Sequence, residues 1–294
     1  MGKFLKHLFW LVVIILVGMI VLDFLYTKVY TNAIPRNKTQ YLLQLNHTKI
    51  DYVFMGSSRT ENHIVTDLVE SETGKKAINL GVQGGKLDDV YLMLKLLLAN
   101  NMPPERVFVQ VDYLFNYDTP STIVGTESLP YIRNNKIIKT HRSNNSDFTQ
   151  NFYVPFYRYA KNDFKLGFRE FFNSARGKKS KTDLSNGFVP LHGNFSKGTY
   201  SMPNKILKRN KSLDSISTFC KRNNIEVSYF TSPFCEETKN QEYIKKLKQK
   251  LPNLIDFSQT IKNNKYFQNC GHLNEKGALL FTQMLIDYCQ LKKQ

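Results

Sequence analysis

Five short runs of β-branched and aromatic residues alternate with segments of helical apolar spacing, and this alternation limits the fold more than any other feature. Such a pattern is typical of a parallel sheet whose strands are joined by helices that cover both faces. The five runs span residues 52–55, 77–80, 107–111, 225–231 and 254–257. The sequence therefore predicts a three-layer α/β/α domain with a five-stranded parallel sheet.

The N-terminal segment is of another kind. An apolar run over residues 8–26, interrupted by Asp23, follows Lys3 and Lys6. Its length just reaches the roughly 18–20 residues that a helix needs to cross a bilayer. A cleaved signal peptide has the same basic start and apolar stretch, but no small-x-small cleavage site follows Tyr26. The sequence favours a single-pass anchor with a cytoplasmic N-terminus and an extracytoplasmic domain.

The alternation of strands and helices breaks between the third run and the fourth. This stretch is rich in Tyr, Phe and Asn and contains a helical-looking segment, 156–175. An insertion after the third strand lies above the carboxyl ends of the strands, where ligands bind, so it is either a lid or substrate platform or a structural subdomain. The expected organisation is an anchor over 1–28, a linker or first helix over 29–48, and one domain over 49–294 with its insertion at 115–205.

The chain is strongly basic, with a formal net charge of +17. Its lysines are spread widely, and no recognisable nucleic-acid-binding motif accompanies them, which argues against a nucleic acid as partner. Two interpretations remain open. The charge is either a solvated surface, or it attracts the domain to anionic lipid headgroups or to an anionic envelope polymer.

The four cysteines are Cys220, Cys235, Cys270 and Cys289, and none has metal-ligand spacing. We therefore expect neither a metal nor another cofactor. In an oxidising compartment Cys235 and Cys270 are the candidate disulfide pair, because each follows a predicted strand and those strand ends should lie near each other. Buried free thiols are the alternative.

A serine nucleophile requires a neighbouring base and backbone donors for the oxyanion. Ser58 lies just past the first predicted strand, in Gly56-Ser57-Ser58, at the start of a helix-like stretch. His272 lies in a glycine-containing loop that enters the last predicted helix. An ordinary strand-to-helix turn explains the first motif equally well when it is taken alone. The second motif makes Ser58 and His272 a candidate nucleophile and base.

Three blocks of this sequence resemble the SGNH (GDSL-type) hydrolase superfamily, over about residues 50–282. Residues 56–58 stand at the family's G-D-S block, Gly84 at its oxyanion glycine, and residues 269–272 at its D-x-x-H block. The Leu-Asn-x-x-Gly that follows is specific to this kind of sequence. The similarity is closest to the membrane-anchored, extracytoplasmic branch found beside bacterial polysaccharide-modification machinery.

The resemblance implies a role for each of these residues. Ser58 would be the nucleophile and His272 its base, and the backbone N–H groups of Ser58 and Gly84 would bind the oxyanion. The family's G-x-N-D block has no clear counterpart after the third strand, which leaves Asn116 as the candidate for the third oxyanion donor.

Asn269 departs from the family, which has aspartate at this position. An asparagine offers His272 a carbonyl oxygen but no negative charge. Three possibilities stay open. His272 works with Ser58 as a dyad, another acid such as Asp112 or Asp256 takes the place of the aspartate, or hydrolysis has been lost and binding retained.

The resemblance also implies a substrate class and a partner. We expect a serine esterase or O-acyltransferase acting on acyl esters, in particular acetyl esters, of an envelope polysaccharide or a teichoic-acid-like polymer. An integral-membrane O-acyltransferase is the expected partner protein. The alternative is a catalytically impaired carbohydrate-binding or scaffold subunit of the same machinery.

Arg59 and four further histidines are the other residues with possible chemical roles. Arg59 follows the candidate nucleophile and is expected to contact an anionic substrate group or to pair with a local carboxylate such as Glu61. The remaining histidines considered have no acid or metal-ligand spacing nearby and are expected at surface or core positions; they are His47, His63, His141 and His192.

Overall fold

The computed structural model describes residues 1–45, 48–101, 103–196 and 198–291. Asn46 and His47 of the predicted linker, and Lys197 of the predicted insertion, lie outside the described residues. The chain divides into two compact units. One comprises residues 1–41 and 125–180, and the other comprises residues 42–124 and the chain from 181 onward.

The strands are β1 Tyr52–Met55, β2 Ala77–Asn79, β3 Arg106–Gln110, β4 Glu226–Thr231, β5 Ile255–Asp256, β6 Phe267–Asn269 and β7 His272–Leu273. The first five form one all-parallel sheet in the order β2-β1-β3-β4-β5, and β6 and β7 form an antiparallel pair. The α-helices of the described residues are α1 Gly2–Asn32, α2 Lys38–Gln44, α3 Ser58–Glu61, α4 Thr66–Thr73, α5 Leu87–Ala99, α6 Val124–Glu127, α7 Lys136–Arg142, α8 Phe148–Tyr153, α9 Tyr157–Ala160, α10 Asp163–Leu166, α11 Phe168–Ala175, α12 Lys211–Arg222, α13 Glu242–Lys250 and α14 Glu275–Tyr288. Short 3₁₀ helices span Tyr113–Asn116, Leu129–Tyr131 and Asn264–Tyr266.

Helices cover both faces of the five-stranded sheet. Every residue of β1 is buried, so side chains that point to opposite faces are equally withdrawn from water. On one face Phe54 and Phe108 stack with their ring centres 4.8 Å apart and join a core that includes Phe281 of α14. Helix α4 packs with α14, and α5 packs with α12. The predicted fold class, a parallel five-stranded α/β sheet with flanking helices, is confirmed.

The strand order places a crevice at the carboxyl ends of β1 and β3. The chain leaves β1 toward β2 on one side, and β3 lies on its other side, so the connections diverge at this point. In open parallel sheets such a divergence is where ligands bind. Ser58 follows β1 and Asp112 follows β3 at this edge.

The first unit is organised around α1. Tyr26 stacks on Phe171 with ring centres 4.1 Å apart, and Tyr30 stacks on Tyr159 at 5.9 Å. Helix α1 is long and apolar enough to cross a membrane, and most of its apolar side chains are exposed. It is compatible with a single-pass anchor, and a signal sequence would have the same properties.

The segment 156–175 is not one helix, as its apolar spacing suggested. It forms the three short helices α9, α10 and α11. Phe156 has a left-handed backbone with φ of +61°, and Gly167 is extended, so neither belongs to a helix interior. Helix α13 likewise begins at Glu242, five residues later than the apolar spacing from 237 suggested.

Candidate active site

Ser58 and His272, separated by 214 residues in the sequence, lie within hydrogen-bond distance of each other. Ser58 is the first residue of α3, directly after the turn that ends β1. His272 lies in the loop that precedes α14, where it begins β7. The Oγ atom of Ser58 is 2.8 Å from Nε2 of His272. This is the separation that a nucleophile and its general base require.

Asn269 lies on the other side of the His272 ring. Its Oδ1 is 3.2 Å from His272 Nδ1 and also accepts the backbone N–H of Gly271 at 2.9 Å. Its Nδ2 donates to Oε1 of Gln268 at 2.6 Å. These partners direct the carbonyl oxygen at the ring, so that Nδ1 carries the proton and Nε2 presents its lone pair to Ser58.

His272 is uncharged at neutral pH. Burial, and after it the charge of Arg59, lowers the pKa of His272 to about 4. Neither Asp112 nor Asp256 is hydrogen-bonded to His272 in the part of the chain that the structure describes. The Asp112 carboxylate instead pairs with Arg59, and Asp256 accepts a hydrogen bond from Thr231 at 2.9 Å. The partner of the histidine is therefore the neutral amide of Asn269.

The turn that carries Ser58 is fixed by a buried glutamine. Gln110 Oε1 accepts the backbone N–H of Ser57 at 2.9 Å and its hydroxyl at 2.8 Å. Gln110 Nε2 donates to Asp112 at 2.6 Å. Gly56 has a φ of +154°, and a Cβ there would lie 2.7 Å from Gln110 Oε1, so only glycine fits this position.

Arg59 is a buried structural residue. Its side chain is 1% exposed, and Nε pairs with Asp112 at 3.1 Å. The guanidinium also donates to the backbone carbonyls of Gly271, Ser232 and Pro233. It lies over the ring of Phe234. It thus joins the nucleophile turn, the end of β3, the end of β4 and the histidine loop. The expectation of a substrate contact or a pair with Glu61 is corrected, because the carboxylate that binds Arg59 is Asp112.

The two backbone oxyanion candidates lie in neighbouring segments, Ser58 at the start of α3 and Gly84 in the loop after β2. The Val82 N–H donates to the carbonyl of Gly56 at 3.1 Å, which holds this loop against the nucleophile turn. Gly84 lies in the same loop with a φ of +71°. In the described part of the chain, neither the Ser58 nor the Gly84 backbone N–H has a hydrogen-bond acceptor. Both are available to an oxyanion.

Asn116 is hydrogen-bonded to residues 205 and 207. It ends the 3₁₀ helix Tyr113–Asn116, and its Nδ2 donates to the carbonyl of Lys205 at 2.5 Å. Its Oδ1 accepts the backbone N–H of Leu207 at 3.0 Å. The amide therefore ties two backbone segments together, and its place as the third oxyanion donor stays a prediction.

The histidine loop is cross-linked. Cys235 and Cys270 form a disulfide, the pairing that the strand ends predicted. The Cys235 N–H also donates to the Cys270 carbonyl at 3.2 Å. Cys220 is a buried free thiol, and Cys289 is free and half-buried.

A second histidine, His63, supports the loop from below. It is fully buried, its Nε2 accepts the backbone N–H of Leu273 at 3.0 Å, and its ring lies edge-on to His272 with centres 6.0 Å apart. Burial lowers the pKa of His63 well below its usual value, so the ring is neutral and acts as an acceptor. His192, by contrast, is exposed and pairs with Glu275.

Two features of the sequence indicate this supporting structure. Gln110 is a polar residue in the apolar run of β3, and a buried polar side chain must find partners. Tyr113, Tyr117 and Tyr200 belong to the aromatic-rich stretch after β3. Tyr113 donates to Ser57 Oγ at 3.1 Å and lies 6.2 Å, ring to ring, from each of the other two.

The chain matches no protein-family model. No curated protein matches it. Among solved structures, one from Streptococcus pneumonia, provisionally described as a platelet activating factor, is 13% identical, with a TM-score of 0.40. The match covers 96% of this chain and 98% of that one. The likeness is distant.

Proposed function

We propose that this chain is a serine esterase or O-acyltransferase in which Ser58 is the nucleophile and His272 the base. The observation that carries the proposal is the continuous chain of contacts from Ser58 Oγ to His272 Nε2, 2.8 Å apart, and from His272 Nδ1 to Asn269 Oδ1, 3.2 Å apart. It lies at the carboxyl ends of a parallel sheet, and the backbone N–H groups of Ser58 and Gly84 have no acceptor among the described residues. This arrangement supports acyl transfer through an acyl-enzyme.

The reaction follows from these contacts. His272 takes the proton of Ser58 at Nε2 while Oγ attacks the ester carbonyl, and the Ser58 and Gly84 N–H groups bind the oxyanion that forms. The imidazolium then returns the proton to the leaving alkoxide. An acceptor hydroxyl next loses its proton to Nε2 and attacks the acyl-enzyme. The bond between Ser58 Oγ and the acyl carbon then breaks, and the imidazolium returns the proton to Oγ. Water as acceptor gives an esterase, and a sugar or polyol hydroxyl gives an acyltransferase.

A fluorophosphonate probe tests this proposal. The probe phosphonylates an activated serine with loss of fluoride, so we expect covalent labelling of the wild-type chain and none of Ser58→Ala. Ser71→Ala is a matched control, because Ser71 is an exposed serine on α4. Labelling and its location are measured by fluorescence gel and by mass spectrometry of the modified peptide.

The same experiment separates the enzyme from the alternative function. Asn269 in place of an acid favours a carbohydrate-binding or scaffold subunit that no longer hydrolyses esters. A folded wild-type chain that takes up no label would support that alternative. Equal labelling of wild type and Ser58→Ala would rule out Ser58 as the nucleophile.

An aromatic cluster beside the site supports a sugar polymer as substrate. Tyr113 touches the nucleophile turn, and Tyr200 lies against Gly271 of the histidine loop and stacks on Phe234 at 5.2 Å. Tyr117 extends this cluster and is 45% exposed. Sugar C–H groups pack on the electron-rich faces of aromatic rings. We propose an acylated envelope polysaccharide or teichoic-acid-like polymer as the natural substrate.

We expect Tyr117→Ala to raise KM for an acetylated polysaccharide about two- to tenfold, the size of one aromatic contact, and to leave kcat/KM for a small aryl acetate unchanged. Steady-state kinetics with both substrates measure the two effects. Tyr288→Ala, which removes an exposed tyrosine from the end of α14, should change neither. An equal loss on both substrates would mean that Tyr117 supports the site itself.

The proposed location follows from α1. A single-pass anchor with a cytoplasmic N-terminus would hold the domain on the extracytoplasmic side, where such polymers are made. The disulfide supports the same side of the membrane, since disulfides persist in oxidising compartments. An integral-membrane O-acyltransferase that delivers the acyl group is the partner that this location favours.

A further inference from the structure

A cavity of about 550 Å³ lies beside α1 within the first unit. Its volume is in the range of small-molecule sites. Ile20 and Phe24 line it on the side of the apolar helix, and Lys28, Arg133 and Arg158 supply three cationic side chains. The only acidic side chain in its lining, among the described residues, is Asp23. The cavity thus combines an apolar wall with a net positive charge.

Asp23 does not neutralise the cavity, because two arginines share its carboxylate. Arg158 donates to Asp23 Oδ1 at 2.8 Å, and Arg133 donates to the same oxygen at 2.9 Å. The second oxygen, Oδ2, accepts the backbone N–H of Phe156 at 2.6 Å. One carboxylate holding two guanidinium groups leaves one positive charge over, and Lys28 adds another.

Arg158 is 1% exposed, and its guanidinium donates to Asp23, Thr27 and the Asn151 carbonyl. It therefore holds Asp23 in place and adds its charge from below the cavity surface. Arg133 keeps about a third of its side chain exposed, and Lys28 is exposed, so both can reach a ligand. Phosphate oxygens are the acceptors that guanidinium groups bind best.

The position of the cavity along α1 indicates which phosphate-bearing molecule can reach it. Large apolar side chains are exposed on α1 from Phe4 to Leu25. A helix of about 20 residues spans roughly 30 Å, the thickness of the hydrocarbon core of a bilayer. Residues 23–28 therefore lie at the level of the lipid headgroups when α1 spans a membrane, which is the location proposed above. Ile20 and Phe24 face acyl chains, and the cations face phosphates.

We propose that this cavity binds the headgroup phosphate of an anionic phospholipid, with Arg133 and Lys28 as its cationic ligands and the buried Arg158 adding its charge. A zwitterionic headgroup has the same phosphate, but its ammonium is repelled by the surplus positive charge. The inference rests on the proposed membrane location of α1, and it is independent of the chemistry of Ser58.

The test uses the full chain in a neutral detergent. Native mass spectrometry with equimolar phosphatidylglycerol and phosphatidylcholine should show one retained lipid, mainly phosphatidylglycerol. Arg133→Gln should lower the phosphatidylglycerol occupancy about fivefold, the effect expected of one cationic side chain near anionic lipid. Arg169→Gln removes an equal charge from an exposed position of α11 and should leave that occupancy unchanged.

Lys28→Gln provides a second variant, because Lys28 is exposed and its removal leaves the ion pairs of Asp23 in place. Equal retention of the two lipids would overturn the proposal. An equal effect of Arg169→Gln would do so as well, since it would indicate attraction to the whole basic surface. Displacement of the lipid by inorganic phosphate at the same concentration would show a site for free phosphate instead. Fluorophosphonate labelling of Ser58 in the same samples keeps this outcome separate from the proposed function.

Discussion

Replacing Asn269 with aspartate is expected to raise kcat/KM for an aryl acetate at pH 8 by about 10²- to 10⁴-fold. The upper figure is the loss that the reverse change causes in a serine triad. The variant places a carboxylate oxygen where Asn269 Oδ1 now lies, 3.2 Å from His272 Nδ1, and stabilises the imidazolium that forms during attack. The Gln268 amide must turn over so that it donates to the new carboxylate, because Oε1 now accepts from Asn269.

The same variant should change the pH profile. In the wild type the pKa of His272 is lowered to about 4, so kcat/KM should stay nearly constant down to about pH 5 and fall only below it. A neighbouring carboxylate favours the charged ring and raises this pKa. Asn269→Asp should therefore lose activity at a higher pH than the wild type on acidification. Steady-state kinetics from pH 4 to 9 measure both kcat/KM and the pH at which it falls on the acid side, the acid limb of the profile.

Asn269→Leu is the matched control for the amide. It removes the acceptor of both His272 Nδ1 and the Gly271 N–H and adds no charge. Its kcat/KM should fall below that of the wild type. If Asn269→Asp folds and shows no ester cleavage, the carboxylate does not make the site catalytic, and the scaffold alternative is favoured.

His272→Ala is the second large effect that we expect, a fall in kcat/KM of at least about 10²-fold. In a well-studied serine protease, loss of the acid alone costs about 3 × 10⁴ in kcat, and loss of the whole triad about 2 × 10⁶. The ratio of these two losses is roughly 10². Loss of the histidine from a site that already lacks the acid should therefore lower the rate by about this factor. A larger loss would mean that the Asn269 amide supports the ring nearly as well as a carboxylate does.

Added imidazole provides a readout that a merely structural role would not give. It should restore part of the activity of His272→Ala and have no effect on Ser58→Ala. His192→Ala is the matched control, because His192 is an exposed histidine paired with Glu275 at the surface. It should retain wild-type kinetics. An unchanged rate in His272→Ala would exclude the proposed mechanism.

The sheet was predictable because strand burial leaves a direct trace in the sequence. The first strand was predicted at its observed bounds, 52–55, and the other four within one or two residues. Parallel strands buried on both faces are continuous apolar runs, and these runs depend on local sequence alone. The structure of segment 156–175 was harder to predict, because its apolar residues have the spacing of one helix. The backbone departs from helical geometry at Phe156, where the segment begins, and at Gly167 within it.

Sequence motifs predicted the positions of Ser58, Asn269 and His272. They did not predict the side chains that hold these residues in place. Asn269 and His272 are three residues apart, so one loop can aim both at the same point. Arg59 and Asp112 are separated by 53 residues, and a buried guanidinium is rare enough that an exposed role is the default expectation. The contact made by Asn116 was hidden for the same reason. Its acceptor, the Lys205 carbonyl, is 89 residues away and is visible only in the fold.

The bond between Cys235 and Cys270 makes the stability of the histidine loop depend on the redox state of the surroundings. It closes a separation of 35 residues, which in the chain-entropy description stabilises the fold by about 4 kcal/mol. Cys270 lies between Asn269 and His272, so the disulfide adds a covalent tether to a loop that Arg59 and His63 also hold. Newly made chain in a reducing cytoplasm lacks this tether. Loss of the disulfide is therefore expected to lower the stability of the fold and to loosen the segment that carries Asn269 and His272.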